Sequence, residues 1–150
     1  MATHDVFELQ KHLGEEIAVS DWIRVEQPQI MQFAELTGDH FWIHTDPERA
    51  KRESPFKTTI AHGFFTLSLI AGVMDKVFEL TGFGMAVNYG LDKVRFMGPV
   101  PAGSRVRVRF TVGRVAPIEG GIRVTWLVTV EREGEAKPAL VAELVSQFWK

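Results

Sequence analysis

Asp39 and His44 stand five residues apart. An Asp and a neutral His brought onto one water make an acid/base pair. Their charges then couple, each helping to set the other's protonation state. The same spacing also fits a turn aspartate followed by an ordinary packed histidine, which is the commoner arrangement. A second pair, His62-Gly63, opens an apolar segment. A helix N-terminus there presents unpaired N–H groups and partial positive charge. Gly63 has no side chain, so a carbonyl oxygen can approach its amide closely. That is an oxyanion hole in outline. A glycine needed for close helix–sheet packing fits the position equally well.

Other signals are weaker. Gly82-Phe83-Gly84 has the start of a dinucleotide loop, but Val87 stands where the third glycine belongs, so it reads as a turn. Arg49, Lys51, Arg52 and Lys57 suit either phosphate groups or a solvated helix face, and the solvated face is the simpler reading. His4, His12 and His40 read as exposed polar residues, and the four Trp residues as packing anchors.

The elements that must position these residues fall into two halves. Ile17, Val19, Ile23 and Val25 alternate along a predicted strand over Glu16–Val25. Pro28 suits a first helical turn, Ile30, Phe33, Ala34 and Leu36 give its apolar face, and Gly38 suits a left-handed cap. Thr45 and Glu48 have capping-box spacing for a short helix ending at Glu53, and Asp46 offers a competing cap one residue later. Ala61 to Leu80 reads as a long helix, apolar nearly all round at its start and so expected to be buried in a core, with Gly82 as its cap. Strands are predicted over Met85–Met97, Arg105–Val112, Ile122–Val130 and Ala139–Trp149, with a turn at Glu119-Gly120-Gly121. Strict alternation argues for antiparallel strands with one face on a core, hence an α+β fold in which a sheet wraps the long helix.

Composition excludes several classes. The chain has 150 residues, which favours one domain spanning 1–150. It is 45% hydrophobic and 24% charged, so it is neither disordered nor fibrous. A net charge of −2 argues against a nucleic-acid partner. The absence of cysteine excludes disulfides, thiolate nucleophiles and Cys-ligated zinc. The polar N-terminus lacks the order of a signal peptide, and the apolar run Ile60–Met74 is too short for a membrane span. The expectation is a cytoplasmic protein with no membrane or metal partner.

Several ordered motifs together resemble a known family. Phe33-Ala34-Glu35-Leu36-Thr37-Gly38-Asp39, His44 and Ile60-Ala61-His62-Gly63-Phe64 resemble the hydratase motif of the MaoC-like dehydratases, which include the (R)-specific enoyl-CoA hydratases. Gly38-Asp39-His40 with Trp42-Ile43-His44, Ala61-His62-Gly63-Phe64 with Thr66-Leu67-Ser68-Leu69, and Val87-Asn88-Tyr89-Gly90-Leu91 with Lys93-Val94-Arg95-Phe96 look like the nodulation-protein-N-like branch. Pro99-Val100-Pro101-Ala102-Gly103 fits as well.

The resemblance implies a hot-dog fold, a long central helix wrapped by a curved antiparallel β-sheet, with two protomers paired edge to edge as a homodimer. It implies reversible syn addition of water to a trans-2-enoyl thioester, giving an (R)-3-hydroxyacyl thioester. Asp39 and His44 would hold the water and move its protons, and the Gly63 amide would bind the thioester oxygen. Phe41, His62, Phe64 and Asn88 become candidate substrate-binding residues. No cofactor is implied beyond coenzyme A, or an acyl carrier, as the handle of an acyl-CoA-type substrate. The chain departs from the hydratase motif after the aspartate. Phe41 and Trp42 stand where that motif has Asn-Pro, and the nodulation-like branch leads one to expect an amide at 41. A phenyl ring cannot hydrogen-bond water or a thioester, so Phe41 lines an acyl pocket or packs in the core.

Two other functions suit the same fold. A thioesterase would need a carboxylate on the central helix, for which Asp75 and Glu79 are candidates. A non-catalytic acyl-thioester binding module would keep the fold and lose the chemistry.

Overall fold

The computed structural model describes residues 1–150. Strand β1 (Ala2–Asp5) leads into a 3-10 helix over Val6–His12. Strands β2 (Glu16–Val19) and β3 (Ile23–Val25) precede helices α1 (Gln27–Thr37), α2 (Trp42–Thr45), α3 (Pro47–Glu53) and α4 (Gly63–Val77). Strand β4 (Phe78–Thr81) follows α4 directly, and β5 (Met85–Phe96), β6 (Ser104–Ile118), β7 (Gly121–Arg132) and β8 (Leu140–Trp149) complete the chain.

The large sheet is antiparallel in the order β2-β6-β7-β8-β5, with β3 also on β6. Its inner face carries the alternating residues the sequence marks out. Val106, Val108, Phe110 and Val112 of β6 and Val124, Trp126, Val128 and Val130 of β7 are buried. They meet Phe65, Ile70, Val73 and Met74 of α4 in one cluster. Trp126 is fully buried and donates from its indole to Ser146 Oγ at 3.2 Å. On the outer face, Arg105 pairs with Glu133, and Arg107 and Arg109 share Glu131. A helix laid across an antiparallel sheet in this way is the expected α+β, hot-dog arrangement.

Five expectations are corrected. The strand over Glu16–Val25 is two strands. Ser20 interrupts it, its Oγ taking the Val108 amide at 2.9 Å in place of a main-chain acceptor. The central helix ends at Val77 rather than Leu80, because Phe78–Thr81 pairs in parallel with Ala2–Asp5. Gly82 therefore caps no helix. Its φ of +88° turns the chain from β4 into β5, at a place where a Cβ would run into the Asp5 carboxylate. Helix α4 is buried on one face only, and Phe64, Ser68, Ala71, Gly72, Asp75 and Lys76 are exposed on the other. His4 and His12 are half-buried, with ring centroids 5.1 Å apart. No helix is long and apolar enough to cross a membrane.

Candidate active site

Local sequence determines how each site residue is delivered. Pro28 lies in the first turn of α1, and Glu26 with Gln29 forms a capping box. At the other end Gly38 adopts φ +80°, and its amide donates to the Ala34 carbonyl at 2.9 Å. That left-handed turn stops α1 and projects Asp39 out of the helix. The Asp39 Oδ1 accepts from the Phe41 amide at 3.3 Å, which starts the single turn of α2. His44 sits on that turn. Asp46 caps α3 by accepting from the Arg49 amide at 3.0 Å, so Asp46 rather than Thr45 is the cap. Thr45 instead donates to the His40 carbonyl at 2.9 Å.

His44 is held from two sides. Gln27 donates from Nε2 to the His44 carbonyl at 2.8 Å, and Thr59 donates to the Gln27 side-chain oxygen. His44 Nδ1 lies 2.8 Å from the Ile60 carbonyl oxygen. A carbonyl only accepts, so Nδ1 carries the hydrogen and Nε2 presents its lone pair. The segment before α4 is pinned in turn: the Ile60 amide donates to Ile43, and the Ala61 amide to Val100 at 2.8 Å. Burial is the largest influence on His44 and lowers its pKa below the ordinary histidine value. The Ile60 carbonyl pushes upward, His62 downward and Asp39 upward. The result is a neutral imidazole at pH 7.

His62 caps α4 and is only 2% exposed. Its ring stacks on His44 with centroids 3.9 Å apart and planes inclined by 24°. It also packs on Phe33 at 4.9 Å. Its Nε2 donates to the main-chain oxygen of Asp39 at 3.0 Å. Asp39, His44 and His62 thus bring one carboxylate oxygen and two ring nitrogens within 4.8 Å of one another. Such a trio is also what a metal ion needs. Near-parallel rings, however, aim their in-plane lone pairs side by side rather than at one point. The Asp39 carboxylate and the His44 ring lie within 4.8 Å, a separation that one water can bridge.

Gly63 opens α4, so its amide has no partner within the helix. A Cβ there would lie 3.0 Å from three atoms of the Phe96 ring. Gly63 and Phe96 line one pocket of about 330 Å³ with Phe56, Thr66 and Leu140. Phe64, 66% exposed, meets Phe96 edge-on at 5.9 Å. Phe41 is 58% exposed and leans on Trp42, so it does not pack in the core. Asn88 lies elsewhere in the protomer. It lines a separate pocket of about 470 Å³ with Asp75, Phe78, Glu79 and Ser146. Glu79 belongs to β4, not the central helix, and accepts from Thr3 at 2.9 Å. Arg49 pairs with Glu53 and covers the Trp42 ring, which favours the solvated-face reading of that basic cluster.

Sequence reasoning passed over three contributors: the Ile60 carbonyl, Gln27 and Phe96. Phe96 lay within a quoted motif. Ile60 lay within another, but its carbonyl contact to His44 spans sixteen positions, and Gln27 carries no local signal, since its partners are distant in the chain.

Residues 8–133 match the family model described as MaoC like domain. Over 144 residues, and 95% of each chain, the sequence is 46% identical to 3-hydroxyacyl-thioester dehydratase Z of Mycobacterium tuberculosis. It is 47% identical to nodulation protein N of Rhizobium leguminosarum bv. viciae, covering 93% of this chain and 88% of that one. Among solved structures, the (R)-hydratase from A. caviae involved in PHA biosynthesis superposes with a TM-score of 0.71 at 25% identity, over 89% of this chain and 94% of that one.

Proposed function

The chain belongs to the MaoC-like dehydratase family, and from that premise we propose that it interconverts trans-2-enoyl and (R)-3-hydroxyacyl thioesters, with coenzyme A as the handle. The observation that carries this reading is the approach of Asp39 to His44, with room for one water, beside the free amide of Gly63.

In the hydration direction the water sits between the Asp39 carboxylate and the bare Nε2 of His44. Its oxygen bonds to C3 as one of its protons passes to the pair. The C2=C3 electrons move into an enolate whose charge collects on the thioester oxygen. That oxygen is received by the Gly63 amide at the positive end of α4. The pair then returns a proton to C2 on the same face, and both groups regain their starting state. One water is added, and no cofactor takes part. Acid/base groups so placed contribute about 10²–10⁴ in rate, and one oxyanion donor about 10²–10³. Phe41 supplies an exposed apolar surface beside this site, where an amide would have supplied a hydrogen bond.

The reading includes a homodimer. Strand β5 pairs only with β8, which leaves its other edge open over twelve residues. That edge exposes Met85, Val87, Tyr89 and Leu91. A long apolar edge of this kind is covered in stable proteins, and a second copy of the same strand covers it symmetrically.

The test is conversion of crotonyl-CoA by the purified protein, with the product's configuration read by an (R)-specific 3-hydroxyacyl-CoA dehydrogenase. The reading expects loss of enoyl absorbance and an (R) product. An (S) product, or release of free thiol without hydration, would overturn it.

A further inference from the structure

We infer that His62 is a positioning residue that fixes Asp39, His44 and the Gly63 amide in one rigid frame, an inference that rests on the hydratase reading above. Three contacts support it. The Nε2–H of His62 holds the main-chain oxygen of Asp39 at 3.0 Å. The face of its ring holds His44 in a stack at 3.9 Å. Its own backbone is the cap from which Gly63 begins α4. Each reacting group is therefore one covalent or non-covalent step from the same residue.

The unused nitrogen strengthens the case. His62 Nδ1 is buried and has no hydrogen-bond partner. A buried acceptor left unpaired costs stability. A phenyl ring would fill the same space against Phe33 and His44 without that cost. Packing alone would favour Phe here, so what the histidine adds is its Nε2–H donor. Its target, the main-chain oxygen of Asp39, fixes the backbone from which the carboxylate projects. His62 also has almost no surface of its own to offer a substrate. It acts through the pair.

Two variants separate the contacts. His62→Phe keeps the stack and loses the donor. His62→Gln places an amide N–H close to where Nε2 was and loses the stack. In His62→Phe the midpoint of urea unfolding stays the same or rises. Its kcat for crotonyl-CoA falls by about 10- to 100-fold with KM unchanged, the scale set by small misplacements of reacting groups. His62→Gln recovers part of that kcat. A readout independent of turnover is the titration of the His44 ring by NMR. Burial and the Ile60 carbonyl act on it in both proteins; the titratable groups that bear on it are Asp39 and His62, and His62 pushes it down. In His62→Phe the His44 midpoint therefore moves to higher pH. Loss of kcat in step with loss of folded protein, a rise in KM alone, or an unmoved His44 titration would overturn the inference. If the wild type hydrates no enoyl thioester while His44 still shifts as described, the hydratase reading fails and the frame stands.

Discussion

His44 Nδ1 donates to the main-chain oxygen of Ile60 at 2.8 Å, and this contact leaves Nε2 as the bare nitrogen of the site. It joins α2 to the strap before α4, so the ring is fixed by a residue sixteen positions away.

The first consequence is a pH dependence. His44 titrates below its ordinary value of 6.5 in the folded protein, chiefly because it is buried. Below pH 6.5 the unfolded chain binds a proton that the folded chain still refuses, so stability rises with pH across that window. The contribution is fully present above the unfolded value and is lost as pH falls toward the folded one. NMR titration of the His44 ring should give a midpoint below 6.5, and the acid limb of kcat/KM should follow it. A midpoint above 6.5 would contradict the burial argument.

Gly63→Ala separates stability from turnover. Its Cβ meets the Phe96 ring at 3.0 Å, but that side chain is half exposed and able to move. Overpacking of about 1 kcal/mol is largely offset by the roughly 0.4–1 kcal/mol gained when alanine replaces a glycine of ordinary φ and narrows the unfolded ensemble. Denaturation should barely change, whereas kcat/KM should fall by about 10²-fold as the methyl crowds the amide. Adding Phe96→Ala relieves the contact and should leave turnover low. Full recovery in the double variant would assign the loss to Phe96 instead.

Charge on the open edge of β5 should break the assembly. Val87→Lys with Leu91→Lys places two ammonium groups on the exposed apolar edge. Light scattering should report two chains per particle for the wild type and one for the variant. A variant that remains dimeric would place the interface elsewhere.

What could be read from the sequence follows from how local each determinant is. Pro28 and Gly38 bound α1 through their own backbone preferences, so Asp39 could be placed just past a helix end without knowing the fold. The alternation in β6 and β7 identified the inner face because strand periodicity needs no partner. The end of α4 was different. Met74, Val77 and Phe78 continue a helical spacing, and only pairing with Ala2–Asp5 decides that Phe78 is extended. The stack of His62 on His44 was equally hidden. Eighteen residues separate them, and the packing of Ile60 and Ala61 against Ile43 and Val100 brings them together. Two further families of contact, Gln27 with Thr59 and Gly63 with Phe96, span 32 and 33 positions and leave no local pattern.

The central claim is that Asp39 and His44 share one water and add it to an enoyl thioester. Its most direct test is the ultraviolet absorbance of crotonyl-CoA with wild type, Asp39→Asn and His44→Ala proteins, each shown to be folded. The account predicts loss of enoyl absorbance with wild type and a fall of about 10²–10⁴ in rate for either variant. Turnover by Asp39→Asn or His44→Ala at the wild-type rate would contradict it.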